Sequence, residues 1–171
     1  VRWVLEGFAP SIEVYSIDEA FLDLRGMQGI DYDKYAKEIS RHCWKMVSIP
    51  VSVGIAPTKT LAKIASKLCK QYPRLNGGCY MHRPQDIEKV LRKFPVGDVW
   101  GIGRRFLAKL KAMGVNSAYD FTQISLTLCS LFVKNVRLES MSAFYLAVFG
   151  EFKALFSATV GFNLRHNFIL L

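Results

Sequence analysis

Hydrophobic and polar positions change period several times along the first half of the chain, and each change marks an element. Residues 12–17 (Ile-Glu-Val-Tyr-Ser-Ile) and 20–24 (Ala-Phe-Leu-Asp-Leu) are short β-branched and aromatic runs that predict two strands, with Asp18 and Glu19 at the turn between them. From Asp31 to Ser48 the period lengthens. Tyr35, Ile39, Cys43 and Met46 recur at spacings of three and four behind aspartates in cap-like positions, which predicts an amphipathic helix. Residues 50–56 (PVSVGIA) predict a buried strand. Pro57 and Thr58 then open a helix to about Lys70, stopped by the proline and paired glycines of residues 71–78.

This order of strands and helices predicts an α/β (α+β) layer with helices packed on a sheet. From about Tyr80 the pattern is helical and short-looped, with helices expected over 86–94 and 104–113 on either side of PVGDVWGIG. The organisation expected is a first domain over 1–78, a helical one over 79–121, and an apolar tail over 122–171. The last 51 residues of the chain hold only six charged side chains and have poor periodicity. A buried helical segment, a partner-binding surface and a stretch never selected to fold all remain open for the tail. No internal repeat or low-complexity tract is evident.

Composition narrows the class. At 51% hydrophobic residues with six prolines the chain is globular, and 23 basic against 14 acidic side chains give a net charge of +9. A polyanionic partner such as nucleic acid suits that balance. The excess lies in residues 31–120, with 17 basic and 7 acidic side chains, whereas residues 1–30 hold five acids and two bases. Carboxylates that hold metal ions beside cations that hold phosphates give such an asymmetry; a basic surface without a specific partner gives it too. Cys43, Cys69, Cys79 and Cys129 lack CxxC spacing, and nothing at the start of the chain reads as a secretory signal, so reduced thiols in the cytoplasm are expected. Cys69, Cys79 and His82 lack a fourth zinc ligand and read as ordinary core residues. No uncharged run reaches the ~18–20 apolar residues of a membrane helix, so no transmembrane segment is expected.

Three stretches carry chemistry. Adjacent carboxylates in a straight strand point to opposite faces, but a hairpin tip lets Asp18 and Glu19 share a ligand, and oxygen donors of this kind suit Mg²⁺. A solvated turn is the plain alternative. In PTKTLAKIASKLCK, Lys59, Lys63, Lys67 and Lys70 fall within roughly an 80° arc opposite Leu61, Ile64, Ala65 and Leu68. With no acid interleaved, those lysines repel one another, and a polyphosphate or DNA backbone would relieve the repulsion; a solvated face is the alternative. In VWGIGRRFLAKLKAMGV, Gly101 and Gly103 permit a tight turn, and a helix from Arg104 aims free N–H groups outward beside Arg104 and Arg105. Such a helix-hairpin-helix grips DNA backbone without reading sequence.

Taken together, these residues resemble the Y-family translesion DNA polymerases over about residues 1–121. YSIDEAFLDL and SVGIAPTKTLAKIASK are similar to two palm motifs of that family, and VWGIGRR with KLKAMGV to the helix-hairpin-helix of its thumb. The wording of PTKTLAK and DVWGIGRR is closer to the UmuC branch than to the polymerase IV branch. The resemblance implies a palm fragment followed by a small helical thumb, and an error-prone, DNA-directed DNA polymerase of SOS-type repair. It implies that Asp18 and Glu19 ligate two catalytic Mg²⁺ ions, that Lys70 contacts the triphosphate, that Lys63 lies near the primer terminus, and that Gly101, Ile102, Gly103, Arg104 and Arg105 hold duplex backbone. Partners implied are primer-template DNA, deoxynucleoside triphosphates, a processed UmuD dimer, a recombinase filament and a sliding clamp. The family's first metal-binding aspartate, its fingers and its ribonucleotide-excluding side chain belong upstream of Val1, and a palm cut there is expected to expose a sheet edge. A non-catalytic, sequence-independent DNA-binding module and a protein-docking role for the apolar tail are the competing functions.

Overall fold

The computed structural model describes residues 1–124 and the backbone of Phe168–Leu170; the expectations for the rest of the tail, Cys129 included, fall outside the described residues. The described residues form two units, one holding Val1–His82 with the strand at 168–170, the other beginning at Arg83.

In the first unit, β1 (Ser11–Val14) and β2 (Ala20–Asp23) pair antiparallel, with Ser11 opposite Asp23 and Glu13 opposite Phe21. The strands stop short of the predicted limits because the backbone N–H groups of Tyr15 and Ser16 both donate to the Glu19 carbonyl at 3.0 Å, closing the hairpin early. A short helix, α1 (Arg2–Leu5), precedes them. Asp31 caps α2 (Tyr32–Val47), its carboxylate accepting from the Lys34 N–H. The buried face of α2 is Ala36, Ile39 and Cys43, with Tyr32, Tyr35 and Val47 at its margin. Met46 belongs to that stripe by angle yet is half exposed. A helix of 16 residues runs about 24 Å whereas a four-residue strand spans about 13 Å, so the sheet cannot cover every position on the stripe of α2.

β3 (Val53–Ala56) is buried at all four positions because it lies between two helices. α3 (Lys59–Gln71), capped by the Thr58 hydroxyl, crosses over to β4 (Gly78–Tyr80), which pairs parallel to β3. Glycine marks each close approach. A Cβ on Gly78 would meet the Ala36 carbonyl carbon at 2.7 Å in α2, and one on Gly54 would run into the backbone of Ala62 and Ser66 in α3. The helices therefore cover opposite faces of the sheet. β5 (Phe168–Leu170) completes the sheet order β1-β2-β5-β3-β4, antiparallel to both its neighbours. Part of the apolar tail is thus an interior strand.

The second unit opens with α4 (Pro84–Lys93), proline at its first turn, followed by α5 (Arg104–Ala112) and α6 (Ala118–Gln123). Ile87, Leu91, Phe94, Val96, Val99, Leu110, Val115 and Phe121 are among its buried side chains. α6 begins with a capping box: the Ser117 hydroxyl accepts from the Asp120 N–H, and the Asp120 carboxylate accepts from the Ser117 and Asn116 N–H groups. Those backbone donors, the Ser117 N–H foremost, hold the Asp120 carboxyl below its usual range. Asp120→Ala is expected to cost about 0.5–1 kcal/mol in urea denaturation at neutral pH. Because the folded-state pKa is depressed, the contribution is full above the ordinary carboxylate range and fades as pH falls through it, so the two proteins should converge in acid.

Candidate active site

Strand alternation brings Glu13 and Phe21 to one face of the hairpin, and the closing turn brings Tyr15 and Glu19 to the same face. The lysine face of α3 meets it. Lys63 Nζ donates to Glu19 Oε2 at 2.8 Å with both side chains largely shielded, and one turn earlier Lys59 pairs with Glu13. The same ammonium groups sit over aromatic rings, Lys63 4.7 Å from the Tyr15 centroid and Lys59 4.9 Å from that of Phe21. Part of the lysine repulsion is therefore relieved within the fold itself. Two of the four lysines are matched by carboxylates 44 and 46 residues away in sequence.

Asp18 stands at the exposed tip. The Ser16 hydroxyl donates to its Oδ1 at 2.6 Å, and this bond first, then its own backbone N–H, then the Lys70 and Lys63 charges, hold its carboxyl below the usual range. Asp18, Glu19, Lys63 and Lys70 thus form one constellation, with Asp18 ionised and open to solvent at neutral pH. Ile17 beside it is fully exposed. As a metal site the tip offers two carboxylates, one already bonded to Lys63, and among the described residues no third carboxylate, histidine or cysteine joins them. That donor set fits Mg²⁺, which is held by one or two carboxylates and completes its shell with water and substrate phosphates.

Sequence reasoning overlooked Ser16, Glu13 and Tyr15. Their signal was period two: Glu13 and Tyr15 alternate with Ile12 and Val14 as a strand face requires.

In the second unit, Gly101 has φ +85°, the left-handed region that favours glycine. Gly103 departs from expectation. It has ordinary φ −81°, caps α5 and would accommodate a Cβ without contact, so its place needs no special freedom. Ile102 is buried and its N–H donates to the Val99 carbonyl at 3.1 Å, which anchors the turn. Arg104 and Arg105 are exposed at the start of α5, where no side chain caps the first-turn N–H groups. Gly114, φ +78°, ends that helix.

The thiols lie elsewhere. Cys79 pairs in register with Gly54 on the α3 side, where the Cys69 thiol donates to the Val53 carbonyl at 3.6 Å. His82 stacks at 4.1 Å on Tyr80, which packs against the core on the α2 side. Opposite faces of the sheet therefore separate His82 from the two cysteines.

An α/β layer with an acidic hairpin facing a lysine-lined helix, followed by a helix-hairpin-helix, is the arrangement of a Y-family DNA polymerase. Residues 1–67 match the model of the impB/mucB/samB family and residues 84–115 that of the IMS family HHH motif, which makes the chain a partial, UmuC-like Y-family polymerase. Protein UmuC of Salmonella typhimurium is 41% identical over 127 residues, covering 73% of this chain and 30% of that protein. Protein ImpB of Salmonella typhimurium is likewise 41% identical, over 72% of this chain and 30% of its own length. DNA polymerase IV of Francisella tularensis subsp. holarctica is 32% identical over 74% of this chain and 35% of its own length. The chain thus spans about a third of the curated relatives it matches.

Proposed function

We propose that this chain carries the metal-binding hairpin and DNA-gripping thumb of an error-prone, template-directed DNA polymerase acting on damaged DNA. The observation behind this reading is an ionised, exposed Asp18 beside Glu19 at a hairpin tip walled by the lysines of α3. Asp18 and Glu19 would hold Mg²⁺, which when bound neutralises triphosphate charge and favours the deprotonated primer hydroxyl. Ser16 keeps Asp18 in its anionic form and Lys63 fixes the direction of Glu19. Lys70, whose charge reaches Asp18, is placed to attract the triphosphate. Gly101 to Arg105 would hold the duplex through backbone N–H groups and the Arg104 and Arg105 guanidiniums. Primer-template DNA and deoxynucleoside triphosphates are the proposed substrates, and a UmuD-type dimer, recombinase filament and sliding clamp the proposed partners. No described helix is long and apolar enough to cross a membrane.

The test is single-nucleotide addition to a primed template during a Mg²⁺ titration, with duplex binding recorded in the same samples. Addition that saturates with Mg²⁺ supports the polymerase reading. Binding without addition at any Mg²⁺ concentration leaves the second reading, a sequence-independent DNA-holding module favoured by the exposed arginines at α5. Arg104→Ala should weaken binding uniformly across DNA sequences and reduce the slope of log affinity against log salt by about one. Loss confined to some sequences would argue for base contacts instead.

A further inference from the structure

Gly54 lets α3 lie against the backbone of β3, and so close an approach also carries the end of that helix to β4. Ala62, Ala65 and Cys69 follow one another along its buried face at spacings of three and four. Cys79, in register beside Gly54, turns its side chain to the same side of the sheet. Two sulfurs ten positions apart in the chain thus meet. The Cys69 thiol lies 3.6 Å from the Val53 carbonyl and shares a hydrogen bond with the Cys79 sulfur. The two are unequal: Cys69 is 7% exposed, whereas Cys79 is partly open to solvent on β4, the last strand in the sheet order. That hydrogen bond, foremost, draws the Cys79 thiol below its ordinary range, with Lys37 of α2 assisting and partial burial and Asp33 opposing. The same bond, and then burial, pushes Cys69 up. A reachable sulfur that gives up its proton readily, beside a shielded one that keeps it, is the division of roles in a reactive dithiol. Cys43 gives the contrast, fully buried on the α2 side with its thiol raised by burial.

We propose that Cys79 and Cys69 form a peroxide-responsive dithiol, Cys79 the attacking sulfur and Cys69 the resolving one, which closes reversibly into a disulfide between β4 and the end of α3. The Cys79 thiolate attacks one oxygen of hydrogen peroxide and the O–O bond breaks. The departing hydroxide takes up the proton that Cys79 gave away, leaving a sulfenic acid and water. Cys69 then attacks that sulfur while its own proton passes to the leaving hydroxide, so an S–S bond forms and a second water is released. The two thiols lose two electrons and two protons, and the peroxide is reduced to two waters. A thiol reductant reverses the step, so in a reducing compartment the bridge is transient. Moving the sulfurs from hydrogen-bond contact to the ~2.05 Å of a disulfide asks for side-chain rotation and a slight approach of β4, a strand of three residues. The bridge closes a ring over residues 69–79 that includes the left-handed turn at Asn76 and Gly77. It also pins the helix end that carries Lys70, whose charge reaches Asp18.

The test exposes the full chain, reduced and then freed of reductant, to a few equivalents of hydrogen peroxide, and maps it with trypsin under non-reducing conditions. Trypsin cuts after Lys67, Lys70 and Arg74 but not between Arg83 and Pro84, so the bridge should appear as residues 68–70 joined to residues 75–89, short of two hydrogens. A dithiol reductant should restore both thiols. Cys69→Ser should leave Cys79 as a sulfenic acid that dimedone traps, and Cys79→Ser should leave Cys69 unoxidised. If neither variant folds, the unmodified chain decides: at neutral pH iodoacetamide should alkylate Cys79 at least about tenfold faster than Cys43. Absence of the joined peptide, a bridge from Cys79 to Cys129 in its place, Cys69 still oxidised after Cys79→Ser, or Cys79 alkylated no faster than Cys43 each overturns the proposal.

Discussion

Gly54→Ala is expected to destabilise the first unit by about 3 kcal/mol, although it adds one methyl group. The new Cβ would press on the Ala62 carbonyl oxygen, the Ser66 nitrogen and the Ala65 carbonyl carbon, all of them backbone in the middle of α3. No rotamer change relieves a clash with backbone. Either α3 lifts from β3 or the strand bends, and both separate Leu61, Ile64 and Ala65 from the sheet. Overpacking strain of this kind costs on the order of 3 kcal/mol, a large part of the roughly 5–15 kcal/mol that holds a domain together. Gly103→Ala is the control, since it meets nothing and sits at ordinary φ, and should change stability by less than about 0.5 kcal/mol. Urea midpoints followed by circular dichroism measure both. A Gly54→Ala protein as stable as the parent would show that α3 has freedom the packing does not suggest.

If the proposed polymerase reading holds, Asp18→Ala should reduce Mg²⁺-dependent nucleotide addition by about a thousandfold or more, since losing the proposed metal ligand removes on the order of 4 kcal/mol of charge stabilisation. Stability should not move, because Asp18 is exposed and its partner Ser16 is local. Duplex affinity should stay level or rise slightly with the loss of a negative charge. A companion variant separates ligand from environment. Ser16→Ala removes the first cause of the depressed Asp18 carboxyl and returns its titration toward the ordinary carboxylate range. A depressed carboxyl stays ionised as pH falls, so losing the hydroxyl should move the acid limb of Mg²⁺-dependent addition to higher pH. The plateau at neutral pH would hardly change. An unchanged acid limb would mean that another group governs it.

The helices and hairpin were legible because local chemistry sets them. The Asp31 and Thr58 caps, the three-four spacing of Ile39 and Cys43, and the short runs around Asp18 and Glu19 each carry their own signal. Met46 shows where periodicity runs out: the angle was right, but how far the sheet reaches beneath α2 is a tertiary quantity. The lysine stripe was seen, while Glu13 and Glu19 were not recognised as its partners. Pairs 44 and 46 residues apart exist only once β1 lies beside α3. β5 was the least legible element, since three apolar residues in an apolar tail hold no pattern of their own and become a strand because two waiting edges make them one.

That last pairing has a consequence in time. Phe168 is synthesised roughly 110 residues after Ala56, a delay of roughly 6 to 20 s at about 5–20 residues per second on the ribosome. During that interval β1–β2 and β3–β4 can form as separate ribbons, α3 can dock, and the seam between them stays open to any extended segment nearby. The sheet of this protein is finished by a late arrival, and its most exposed moment is the wait for three residues.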